Sequence, residues 1–243
     1  MHTHLQDYKT NCATDIIAQA KCKGLKHIVC AAAKETDWEN IKNLHEKNSS
    51  LIVPAFGIHP WYVGTILPAW EERLEKYLKS FSTAFVGESG IDGYKENIET
   101  QIKVFETHIE LAQKYHRPLV IHSVKAVDIM AKYWDKLPPV FMVHSFNGHP
   151  EHLKPIIKNG GYVSFSASIL KNKKAQEIVT SVPYNKILAE TDSPYQGIEK
   201  GKEQTPFFVP EIIRQIALWR NQNQEELAHQ IYQNSEEFIY ANK

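Results

Sequence analysis

Four short apolar runs in this chain end in a residue that binds metal or moves a proton. Ala84-Phe85-Val86 leads to Glu88, and Leu119-Val120-Ile121 leads to His122. Phe141-Met142-Val143 leads to His144, and Ile187-Leu188-Ala189 leads to Glu190-Thr191-Asp192 before Ser193-Pro194. A buried strand that delivers a polar side chain at its C-terminal end has this form. Four such endings, all with His or a carboxylate, imply strand ends that converge on one site.

Between these runs the pattern changes from strand to helix and back. Helical spacing predicts helices over 11–24, 70–81, 98–115, 126–134, 150–159, 209–221 and 224–238, with Gly24 as a C-cap. Thr36-Asp37-Trp38-Glu39 reads as a capping box that starts a helix running to about His45. Further strands fall at 27–31, 51–57 and 161–165. The 51–57 strand ends in Ile58-His59-Pro60, so His59 too stands at a strand end. Seven strands alternate with helices, and an eighth would sit just before His2. Such alternation implies a parallel sheet with helices outside. At 243 residues the chain has the length of one (β/α)8 barrel. The expected fold is an α/β TIM barrel with a short or missing first strand, one domain over 1–243. A doubly wound sheet would call for a Gly-rich phosphate loop, and no GxGxxG or Walker pattern is present.

Composition limits the function. Lys plus Arg and Asp plus Glu are both 28, and zero net charge argues against a sequence-independent nucleic-acid coat protein. The odd number of cysteines, Cys12, Cys22 and Cys30, with no CxxC, implies reduced thiols and a cytoplasmic setting. No secretion signal or long apolar span is read, so no membrane partner is expected.

The candidate site residues follow from position. His2 and His4 stand at i and i+2, so on extended backbone they face one side and can share a metal. Glycines on both sides of Glu88 allow a tight turn and close approach to a ligand. His108 and His116 lie on or at the end of a helix. His149 and His152 follow the His144 strand on a loop and the next helix, so all four are excluded. Lys171-Asn172-Lys173-Lys174 reads as a solvated helix start. His2, His4, His122, His144, Glu88 and Asp192 are too many ligands for one closed zinc site. They suffice for two ions sharing a carboxylate, and suit Zn, Mn, Fe or Co without deciding between them. Two such ions activate a water and hold a leaving oxygen.

In order and spacing, six motifs resemble the TatD family of metal-dependent hydrolases, amidohydrolase-like barrels. They are HTHL at 2–5, GIHP at 57–60, GESGID at 87–92, PLVIHS at 118–123, HSFNG at 144–148 and ETDSP at 190–194. The likeness covers nearly the whole chain. It implies a deoxyribonuclease or phosphodiesterase with two divalent ions, Zn, Mn or Mg, and DNA as substrate. It implies His2, His4, Glu88 and Asp192 around one ion, and His122, His144 and bridging Glu88 around the other. Glu88 and Asp192 would be catalytic, Asp192 by orienting or deprotonating the attacking water, and His59 would lie on the substrate's leaving side. The family's first strand and its D-[ST]-H-x-H Asp are not seen before His2. Val124-Lys125 and Glu203-Gln204-Thr205-Pro206 stand where the family carries arginines. Two alternatives follow: the same centre acting on an ester, lactone or amide, and a degenerate barrel serving as a binding module.

Overall fold

The computed structural model describes residues 2–10, 12–199 and 201–241. Among these, eight strands form one all-parallel sheet in chain order. They are β1 His2–Thr3, β2 Ile28–Ala31, β3 Ile52–Phe56, β4 Phe85–Asp92, β5 Leu119–Val124, β6 Phe141–Val143, β7 Tyr162–Phe165 and β8 Ile187–Ala189. The two ends of the sheet meet. Thr3 and Ser193 form a parallel bridge. The His4 amide donates to the Ser193 carbonyl at 2.7 Å, and the Asp192 amide to His2 at 3.2 Å. The expected eighth strand is therefore β1 itself, two residues long and carrying His2.

The strands are buried on both faces, so they read as unbroken apolar runs rather than alternating ones. Inward residues Val29, Val53, Phe85, Val120, Met142 and Leu188 fill the barrel with Phe238, whose ring meets Phe85 edge-on at 5.4 Å. The outward set, including Ile28, Ile52, Val86, Leu119, Phe141 and Ile187, packs under the helices. These are α1 Ala13–Cys22, α2 Trp38–Lys47, α3 Trp70–Ser80, α4 Ile98–Lys114, α5 Val127–Met130, α6 Leu153–Lys158, α7 Ala175–Ser181, α8 Val209–Arg220 and α9 Gln224–Tyr240.

Several boundaries differ from expectation for local reasons. Asn11, the expected start of the first helix, lies outside the described residues. The Thr36–Glu39 capping box does not form. Asp37 Oδ2 instead accepts from the amides of Ala33 and Lys34 at 3.0 and 3.1 Å, while Glu39 bonds Lys42 and Tyr77. The 126–134 helix shortens to the single turn α5, followed by a 3-10 turn at Trp134–Lys136. β4 runs six residues past Val86, through the motif that reads as a loop.

Candidate metal centre

All the polar strand endings come to the C-terminal mouth of the barrel, where backbone geometry holds them. β4 delivers Glu88 past a register shift between Val86 and Ser89. Gly87 and Gly90 have φ of 129° and 150°. A Cβ on Gly90 would lie 1.9 Å from the His122 carbonyl, and one on Gly87 2.6 Å from that of Val120. These glycines bring β4 against β5, so their close approach is to a neighbouring strand, not to a ligand as expected. Asp192 sits just past β8 at φ 54°, a backbone state uncommon outside glycine.

Glu88 is 1% exposed, and its two oxygens face different groups. Oε2 lies 3.1 Å from His2 Nε2 and 3.4 Å from His4 Nε2. Asp192 Oδ1 is 3.3 and 3.2 Å from the same nitrogens, which are 3.1 Å apart. Oε1 lies 2.9 Å from His122 Nδ1, 2.7 Å from His144 Nε2 and 3.2 Å from His59 Nε2. The structure thus brings together all seven residues expected at the site.

The first group fits a metal ion. Five of the six distances among its four donor atoms lie between 3.1 and 3.4 Å. Ligand bonds of about 2.0–2.1 Å place tetrahedral donors about 3.3 Å apart. Asp192 Oδ1 is buried yet accepts no hydrogen bond, although two imidazole nitrogens are within reach. The four donor atoms lie close enough together to share one ion. His2, His4, Glu88 and Asp192 can hold one ion; Glu88 with His59 and His122 forms a second candidate group, and His2, His144 and Glu190 a third.

Polar contacts at the far ring nitrogens sort the histidines. His4 Nδ1 donates to the Ala31 carbonyl at 2.9 Å, which leaves Nε2 as a lone pair. His144 Nδ1 faces Glu190 Oε1 at 3.3 Å. His122 presents Nε2 to Asp92 Oδ2 at 3.5 Å and Nδ1 to Glu88. His59 is different. The Trp61 amide donates to its Nδ1 at 3.1 Å, so the neutral ring carries its proton on Nε2. It points an N–H at Glu88.

Burial opposes ionisation of Glu88, but the charge of His144 and the bonds from His122 and His144 hold it well below its ordinary value. Asp192, also buried, is held well below the carboxylate range by His2 and His4. Burial lowers His4 too, yet Asp192 and Glu88 raise it to about 10. At His59 desolvation wins, and the ring falls to about 4. Both carboxylates are ionised at neutral pH and offer anionic oxygens, and a cation that binds displaces the His4 proton to reach Nε2.

Two functional carboxylates were missed in the sequence. Glu190 is fully buried and accepts from the Ser145 amide at 2.6 Å beside His144. Asp92 touches His122 and the Trp61 indole. Asp92 had a signal in strand alternation, four residues from Glu88 on β4; Glu190, past the end of β8, had only its place in the ETDSP motif. The excluded histidines are also located. His108 is buried in α4, while His116 and His149 are exposed. His149 and His152 belong to none of the candidate ligand clusters among the described residues.

A family model described as TatD related DNase matches residues 1–240. The chain belongs to the TatD family. A TATDN1 homolog from Vairimorpha ceranae is 32% identical over 219 residues, covering 83% of this chain and 80% of its own. The 3′-5′ ssDNA/RNA exonuclease TatD of Pantoea ananatis is 23% identical over 235 residues, covering 90% of each. The crystal structure of a TatD homolog from Escherichia coli K12 shares the fold with a TM-score of 0.88 and 22% identity, covering 98% of this chain and 96% of that one. This TatD family member is thus a metal-dependent hydrolase. No helix among its described residues is long and apolar enough to cross a membrane.

Proposed function

We propose that this TatD family member hydrolyses phosphodiester bonds of DNA with two divalent ions that share Glu88. The observation that carries this reading is the division of the Glu88 oxygens between two donor groups. His2, His4 and Asp192 would complete the first ion's shell, and His122 and His144 the second's; Zn, Mn and Mg are the candidates. When bound, such ions supply Lewis acidity and an activated water for in-line displacement.

The chain's own groups have separable tasks. Asp192 stays ionised at neutral pH and presents an acceptor for the water proton. Gln196 fixes it by donating to Oδ2 at 2.6 Å. Glu190 and Asp92 hold the His144 and His122 rings. His59 directs its Nε2 proton into the site, suited to the phosphate's leaving side. Exposed Lys95 and Lys125 follow β4 and β5. They offer phosphate the positive charge that arginines would otherwise bring, which favours a phosphodiester over an ester, lactone or amide. The nucleic-acid activity of the Pantoea relative supports the same substrate class.

We read residues 1–243 as one catalytic domain. Three free thiols, Cys12, Cys22 and Cys30, agree with a reducing cytoplasmic setting. The test is metal content by elemental analysis after loading with Zn or Mn, with cleavage of a single-stranded oligonucleotide. We expect close to two ions per chain, cleavage by the loaded protein, and a loss of at least about a thousandfold in kcat for Asp192→Asn. A chain that binds no metal, or one that cleaves simple esters but leaves DNA intact, overturns the reading.

A further inference from the structure

Beside the metal centre the barrel mouth carries a pocket whose aromatic side chains, Trp61 and Tyr94, the chemistry above leaves unused. A cavity of about 400 Å³ lies between the turns that follow β3 and β4, lined by Trp61, Val63, Tyr94, Lys95 and Asn97 among others. Trp61 is 55% exposed and Tyr94 72%. Large aromatics left in water around a concave surface mark a binding site more often than a packing remnant.

The pocket is braced from inside by one carboxylate. Asp92 is 3% exposed. Its Oδ2 accepts from the Trp61 indole Nε1 at 2.6 Å, and its Oδ1 accepts from the Tyr94 amide at 2.9 Å. The indole also packs edge-on against His59, with ring centroids 5.1 Å apart and planes at 87°. Lys95 Nζ stands 4.5 Å from the indole centroid. A fixed indole, a second aromatic and a mobile cation are therefore gathered next to His59, whose Nε2 is 3.2 Å from Glu88.

We propose that this pocket is a nucleobase subsite: Trp61 and Tyr94 take a base of a single-stranded polynucleotide by stacking, and Lys95 meets the adjoining phosphate. The assignment rests on the phosphodiesterase reading above. Every base has a π-face, so stacking on aromatics tolerates any sequence. Bases stacked within a duplex cannot enter such a pocket, so the subsite confers a preference for single strands. Its contact with His59 places the bound base about one nucleotide from the reacting phosphate. Lys95 covers the indole in the free protein and, being exposed, can swing to phosphate when a base takes its place.

The experiment compares two labelled oligonucleotides of equal length and charge, one of thymidines and one of tetrahydrofuran abasic residues. The metal-loaded wild-type protein should prefer the thymidine oligomer in kcat/KM by about tenfold to a hundredfold. Trp61→Ala should erase most of that preference, while Trp61→Phe should retain it. No wild-type preference, or a Trp61→Ala loss equal on both oligomers, overturns the subsite. Binding of the same oligomers, read by fluorescence anisotropy, needs no turnover. If neither is cleaved but thymidine binds more tightly in a Trp61-dependent way, the phosphodiesterase reading fails and the subsite stands. Normal cleavage with equal binding overturns the subsite alone.

Discussion

His108 and His59 lie on either side of the Ile58 amide and are both kept neutral, for different ends. His108 Nδ1 donates to the Val104 carbonyl at 2.6 Å, and its Nε2 accepts from Ile58 N at 3.1 Å. Its ring stacks on Trp70 at 5.1 Å. Burial pushes it down to about 4, because a second ring proton would collide with the Ile58 donor. The unfolded chain takes up that proton near the ordinary value of about 6.5. Stability from His108 is therefore complete above that pH and is lost as pH falls toward about 4. We expect a loss on the order of 3 kcal/mol across that window. His108→Gln should flatten the corresponding slope in urea unfolding measured at steps from pH 7 to 4; an unchanged slope would show that other groups carry it. At this scale the sequence was legible wherever a strand end delivered the residue. Glu88, His122, His144 and Asp192 follow apolar runs. Glu190 and Asp92 follow them too, but touch other side chains, and a single chain carries no mark of what a carboxylate faces.

Among the elements, β1 and β4 teach opposite lessons. β4 is eight residues long because Gly87 and Gly90 let it pass β5 without a Cβ clash. The same glycines make GESGID read as a turn, so a strand is mistaken for a loop. β1 has two residues, too few for any periodicity, and is held by partners remote in sequence. Glu203 accepts from the amides of Lys9 and Thr10 at 2.7 and 3.2 Å, and the Tyr8 hydroxyl donates to the Gln204 carbonyl at 2.7 Å. The EQTP stretch, which departs from the family pattern, thus latches the segment that carries His2 and His4. Glu203→Ala should cost about 1–3 kcal/mol in thermal or urea unfolding. It should also weaken the first ion's retention against a chelator in competition titration more than the second's. Equal weakening of both ions would mean that the latch does not act through β1.

Across the whole molecule the barrel was the most legible level, because seven alternations of strand and helix leave few other architectures. Closure was not legible, since it rests on one bridge between Thr3 and Ser193. The centre built on that closure gathers five histidines and four carboxylates, all buried. Buried ionic groups are costly when they lose a partner, so bound ions should stabilise the fold as well as serve chemistry. At ion concentrations about a hundredfold above Kd, the gain per site is about 2.7 kcal/mol. Chelation of both ions should then lower Tm by roughly 10–20 °C in a calorimetric scan, with recovery on adding Zn or Mn. A Tm indifferent to chelator would indicate that the cage is stable without its ions.

The latch has a consequence for biosynthesis. Tyr8 and Gln204 are 196 positions apart, and His4 waits on Ser193. His2 and His4 are synthesised long before the residues that seat them exist. Until then they are an imidazole pair without their barrel partners, open to stray cations. Completion of the barrel and completion of the ion cage are therefore one event, late in the life of the nascent chain, with a long loop to close first.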